Sequence, residues 1–240
     1  MNSTAIIVVA LFAAMCAFAA VAAVLGARRV AAFEAACRAR GWQVGPSGHG
    51  PGQRISGSTG GVSWTYTYVQ DVDRAARWRT DEVHTGLLVV ESATLPGEVV
   101  LILPRRGRPG QIGGVFRSLG RLNRIGRLVF ETFITRVLGG DASDVEQFDA
   151  LTPAPAGGEA FRQAFTVLAT SEQTAGQVVR RGEAALVAFA ADPLSRHGRV
   201  PILLWRKGLV LPVERHLNRV ERLEALVNLV AALASAVQAQ

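Results

Sequence analysis

The residues best equipped for chemistry lie between Arg105 and Leu128, "RRGRPGQIGGVFRSLGRLNRIGRL". Seven arginines fall in this stretch, Arg105, Arg106, Arg108, Arg117, Arg121, Arg124 and Arg127, and no acidic residue accompanies them. A guanidinium offers planar, paired donors that suit phosphate and carboxylate, so this composition points to an anionic surface. The basicity is local. The chain has a net charge of +7, and outside these seven arginines its 19 remaining basic residues balance 19 acidic ones. Such confinement argues for one attractive patch, not for a chain that coats nucleic acid along its whole length.

Other chemistry is poorly supported. His49, His84, His197 and His216 are scattered, and none has a second ligand at helical spacing, so no metal site is predicted. Cys16 lies in an apolar run and Cys37 shortly after it, which predicts neither a disulfide nor a catalytic thiol. The glycine-rich "GPSGHGPGQRISGSTGG", Gly45 to Gly61, lacks the lysine and hydroxyl pair of a phosphate loop. It reads as turns around a short strand at Arg54 to Ser58. Asp141, Asp144, Glu146 and Asp149 are out of register for a calcium loop and read as a solvated connector. No serine sits in a nucleophile-elbow frame. No cofactor is implied.

The elements around the arginines set their context. Ala5 to Gly26 is 22 residues without a charge, and about 20 such residues cross a bilayer's hydrocarbon core. A transmembrane anchor is predicted over 1–27. Arg28, Arg29, Arg38 and Arg40 follow, opposed only by Glu34. The excess of positive charge predicts the amino terminus outside and the carboxyl-terminal bulk in the cytoplasm. Small residues four apart, such as Ala19 and Ala23, permit close helix contact and a homodimer in the bilayer. A juxtamembrane helix is expected over 28–41, ending at Gly41, followed by one domain over 42–240 with a sub-boundary within 139–160.

That domain is predicted to be α+β, with a mainly antiparallel sheet and packed amphipathic helices. In "VSWTYTYV", Val62, Trp64, Tyr66 and Tyr68 alternate with Ser63, Thr65 and Thr67, the period of a half-buried strand. The rings suit a core; exposed, they would suit stacking on single-stranded bases. Further strands are expected at Arg77 to Val83, Leu87 to Val90 and Val99 to Leu103, as an antiparallel meander. From Ile112 to Leu138, apolar residues including Phe116, Leu119, Phe130 and Ile134 share one helical sector, while Arg117, Arg121, Arg124 and Arg127 occupy another. This basic amphipathic helix fits three roles: contact with anionic lipid headgroups, contact with nucleic acid, or packing on the sheet with a solvated basic rim. The anchor favours lipid over nucleic acid, because a tethered domain already sits at the bilayer. The remainder reads as a strand in "AFTVLAT", a helix over Thr174 to Ala191, a hairpin in "PILLWRKGLVLPV" and a closing helix over Leu217 to Val237.

"FTVLATSEQTAGQVV", "LLWRKGLVLPV" and "ERLEALVNLVAALASAV" in the last 75 or so residues resemble the tail of uncharacterised bacterial families of membrane-anchored cytosolic domains. "GWQV" and "ISGSTGGVSWTYTYV" are similar to their first half. The resemblance implies this architecture at the bacterial inner membrane and brings no catalytic residues. The functional expectation is a membrane-anchored cytosolic binding or scaffolding module with an unknown protein partner. Its alternatives are a tethered enzyme and a nucleic-acid tether.

Overall fold

The computed structural model describes residues 3–47, 52–71, 83–105, 134–135, 139–192, 200–213, 217 and 219–238. The predicted helix Ile112 to Leu138 lies outside them, apart from Ile134 and Thr135. So does the predicted strand Arg77 to Val83, apart from Val83.

The chain opens with helix α1 (Ser3–Ala39) and continues through strands β1 (Gln43–Pro46), β2 (Gly52–Thr59), β3 (Val62–Asp71), β4 (Val83–Val90) and β5 (Val100–Pro104). Helix α2 (Ala142–Asp149), β6 (Thr152–Pro153), α3 (Glu159–Ala164), β7 (Phe165–Ala169) and α4 (Glu172–Ala191) follow. The hairpin β8 (Ile202–Trp205) and β9 (Gly208–Val213) precedes the closing helix α5 (Val220–Gln238). The strands form one sheet in the order β1-β2-β3-β4-β9-β8-β5-β7-β6. Every described pairing is antiparallel.

The meander expected to run on through Val99 to Leu103 needs correction at one point, since β5 does not lie beside β4 in the sheet. β1 to β4 do form a meander. The β8–β9 hairpin then inserts between β4 and β5, with Leu88 opposite Leu211 and Leu101 opposite Leu203. The reason is burial on both faces: "ILLW" and "GLVLPV" are buried throughout, the requirement of central strands. The hairpin turns tightly at Gly208, whose φ of +114° and position against the Val90 carbonyl admit no side chain.

Two layers of side chains cover the sheet. On one face Ile55, Tyr66, Leu88, Ile102 and Leu211 meet Val178 and Leu186 of α4 and Leu223, Val227 and Leu233 of α5. The spacing of these α5 residues turns one stripe of the helix onto the sheet. Full burial of each such side chain contributes roughly 1.5–3 kcal/mol before entropy is subtracted. On the other face Leu101, Leu203, Trp205 and Val210 pack with Val145 and Phe148 of α2 and with Ile134. The connector expected around Asp141 to Asp149 is therefore corrected in part: Ala142–Asp149 is a helix that covers the sheet, and Asp144 is buried.

Candidate functional site

Helix α1 has two unlike halves. Its run of alanine, valine and leucine contains no proline, so nothing interrupts the helix. Phe12 and Phe18 are 67% and 78% exposed, and Met15, Val21, Val24 and Leu25 are exposed as well. Near its end Phe33 is 6% exposed and Cys37 is fully buried in the core. The helix closes where the Gly41 N–H donates to the Arg38 carbonyl at 2.9 Å and Trp42 N–H to that of Cys37 at 3.1 Å. Gly41 takes a φ of +76°, the left-handed geometry that ends helices. Ala14–Ala39 is long and apolar enough to cross a membrane by length and composition, which is compatible with anchoring.

Polar contacts fix the foot of this helix. Glu34 accepts from Gln53 Nε2 at 3.0 Å and from Arg38 at 2.9 Å. The Arg40 guanidinium pairs with Glu224 of α5 at 2.9 Å and lies 5.9 Å from the centre of the Trp42 ring. Trp42 meets Trp64 edge to face, with ring centroids 5.0 Å apart. Burial pushes the Cys37 thiol above its ordinary pKa, so it is a weak nucleophile where it stands.

Of the seven lipid-contact candidates, Arg106, Arg108, Arg117, Arg121, Arg124 and Arg127 lie outside the described residues. Arg105 lies at the end of β5. Its N–H donates to the Ala164 carbonyl at 2.7 Å, and its Nε donates to the Phe165 carbonyl at 2.9 Å and to Thr166 Oγ1 at 3.1 Å. It ties β5 to β7, although the residue itself remains exposed. Ile134, from the apolar sector of the predicted helix, is buried beside Trp205 and Phe148.

A second charged group was not anticipated. Asp141 caps α2 by accepting from the N–H groups of Ser143 and Asp144, while Asp144 accepts from the Asp141 N–H at 2.7 Å. Arg206, in the β8–β9 turn, donates to both carboxylates: its Nη2 lies 2.5 Å from Asp141 and 2.7 Å from Asp144, and its Nε also donates to Asp144. The Ser143 hydrogen bond, then Arg206, lower the Asp141 pKa to about 2. Burial pulls the Asp144 pKa up, but the Arg206 hydrogen bonds and the Asp141 N–H outweigh it and the net shift is downward. These hydrogen bonds to the charged forms also raise the pKa of Arg206. Lys207 donates to the Gly139 carbonyl beside them and lies 5.8 Å from the centre of the Trp205 ring. The sequence signal was available: "DASD" before Val145 and Phe148 is a reciprocal cap followed by an apolar stripe.

A depression of about 620 Å³ includes Arg54, Ser56 and Ser58 of β2 and Ser63 and Thr65 of β3. Trp64, Tyr66 and Tyr68 are buried on the opposite face, which removes their rings from any stacking platform. Among the described residues, no three histidine, cysteine or acidic side chains could hold a metal ion together. Fold and surface define an α+β protein with a mostly antiparallel sheet and one long apolar N-terminal helix. In comparisons with protein families, curated proteins and solved structures, nothing matches the chain.

Proposed function

We propose that this chain is a membrane-anchored binding or scaffolding module, held by the apolar half of α1 with its α+β domain on the cytoplasmic side. The observation that carries the reading is the uncovered apolar length of α1, in a protein whose other described large apolar side chains are covered. In water, exposed side chains such as Phe12, Met15 and Phe18 would favour association. In a bilayer they face hydrocarbon instead. Arg28 and Arg29, both exposed, sit where positive charge meets the cytoplasmic leaflet. The test is flotation of the full chain with vesicles in high salt and at alkaline pH. Recovery with the lipid is the expected result; recovery as a lipid-free protein overturns the reading. A reporter fused after Gln240 tests orientation, and activity in a periplasmic format would reverse it.

The arginine segment belongs to the same proposal as an additional contact with anionic headgroups. Each arginine near such a surface is attracted by about 1 kcal/mol. The chain starting at Arg28 retains Phe33 and Cys37, and it is expected to bind anionic vesicles in a salt-sensitive way. Replacing Arg117, Arg121 and Arg124 by glutamine should weaken this binding. Equal binding to neutral vesicles excludes the contact.

A further inference from the structure

The exposed and buried halves of α1 belong to one uninterrupted helix. Gly26 ends the uncharged run, and Phe33 is the first large side chain buried against the domain. Phe33 lies seven positions beyond Gly26, about 10 Å of helix. No glycine or proline falls between Ala27 and Ala39, so the usual sites of a kink are missing. Beyond Phe33 the helix is held from two directions, by Gln53 of β2 through Glu34 and by Glu224 of α5 through Arg40.

After Gly41 the chain reverses, and β1 runs back beside the helix. Val44, Pro46 and Gln53 thereby line, together with Val30, Glu34 and Arg38, a cleft of about 440 Å³. This end of the sheet is the one nearer the apolar segment. Ser58, toward the other end of β2, is four residues beyond Arg54, the partner of Gly45 in the ladder. At strand rise that is about 13 Å along β2, the most by which Ser58 can be farther away.

We infer that α1 is a rigid strut that presents the Val44–Pro46 end of the sheet to the lipid headgroup surface at a fixed height and orientation. This rests on the anchoring proposed above and adds the geometry. Headgroups occupy roughly 5–8 Å on each side of the hydrocarbon. A strut of about 10 Å holds Phe33 just above that layer, with exposed Arg28 and Arg29 within it. A flexible tether would let the domain tumble and present every face equally.

The experiment uses the full chain in vesicles, with Cys16→Ala and a fluorophore on either Gly45→Cys or Ser58→Cys. A Cβ at Gly45 meets nothing within 4 Å, and buried Cys37 does not compete for the label. Energy transfer to headgroup-labelled lipid gives the height of each probe. The Gly45 probe is expected to lie nearer the lipid than the Ser58 probe, by up to about 13 Å. Seven alanines inserted after Arg29 should raise both probes by about 10 Å, and seven glycines there should abolish the ordered difference. Equal heights for the two probes, or no rise with the alanines, overturn the strut. A chain that fails to float with vesicles overturns the anchoring itself, so the two failures are distinct.

Discussion

Two glycines on the same helix make opposite predictions. Gly176 and Gly182 both lie in α4, where replacing glycine by alanine gains about 1 kcal/mol of helix propensity. At Gly176 an added Cβ meets nothing within 4 Å, so Gly176→Ala should keep that gain. At Gly182 the same atom would overlap Leu233 Cδ2, while its next neighbours, Leu186 Cδ1 at 3.7 Å and Leu233 Cγ at 3.8 Å, are at ordinary contact. Relief therefore depends on Leu233 alone, and Leu233 is fully buried in α5. Overpacking of this kind costs about 1–3 kcal/mol, which exceeds or cancels the propensity gain. Gly182→Ala should thus be neutral to about 2 kcal/mol destabilising, and the two variants should differ by roughly 1–3 kcal/mol. For a domain of this size that is a separation in Tm of about 2–12 °C. Thermal and urea unfolding of the chain from Arg28 would measure it. Leu233→Ala alone should lose about 2–5 kcal/mol. The pair Gly182→Ala with Leu233→Ala should lose less than the sum, because the new methyl enters the vacated space. Equal gains from both glycine variants would refute the close approach of α4 and α5.

The charged cap gives a pH prediction. Asp141 and Asp144 have folded pKa values below the ordinary 3.8, so their stabilisation is present above that pH and is lost as pH falls toward about 2. Arg206→Gln should shrink this acid-dependent loss; an unchanged unfolding profile between pH 4 and 2 would count against the clamp. Among the described residues Tyr66 Oη makes no hydrogen bond of ordinary length, and burial, opposed by the nearby Leu217 backbone, pushes its pKa up. Tyr66→Phe should leave denaturation unchanged or stabilise the fold by about 1 kcal/mol, whereas a loss above about 2 kcal/mol would reveal a hydrogen bond. Cys37 should resist thiol reagents in the folded chain and react once denaturant releases α1; rapid labelling without denaturant would show that the foot of the helix is undocked.

Local pattern made some of this architecture legible, and distance concealed the rest. The alternation in "VSWTYTYV" correctly separated buried Val62, Trp64 and Tyr66 from the hydroxyl-bearing face, because a strand's period is intrinsic. The β8–β9 hairpin and α5 were legible for the same reason, with their ends shifting by a few residues. Strand order was not. Leu88 finds Leu211 across more than a hundred residues, a choice made by which apolar faces fit together and not by any neighbouring sequence. Asp144 misled in the other direction. Among Asp141, Glu146 and Asp149 it looks solvated, yet it is fully buried, and the arginine that offsets its desolvation is 62 residues away.

The same long-range logic governs how the arginines should be understood. Arg105 belongs to the one-sided run, and its guanidinium nevertheless donates within the fold, to the backbone of Phe165 and to Thr166. Arg206 lies outside that run and bridges two carboxylates at the head of α2. Arg105 meets a carbonyl and a hydroxyl at the β5–β7 edge, and Arg206 meets paired carboxylates at the hairpin turn. A guanidinium takes its role from the acceptors that sheet topology brings within reach, so a membrane role for the other arginines requires their charge to remain directed outward after such internal acceptors are satisfied. The charge-to-glutamine series on Arg117, Arg121 and Arg124 separates those roles, because loss of vesicle binding with an unchanged Tm identifies outward charge, and loss of Tm identifies internal pairing.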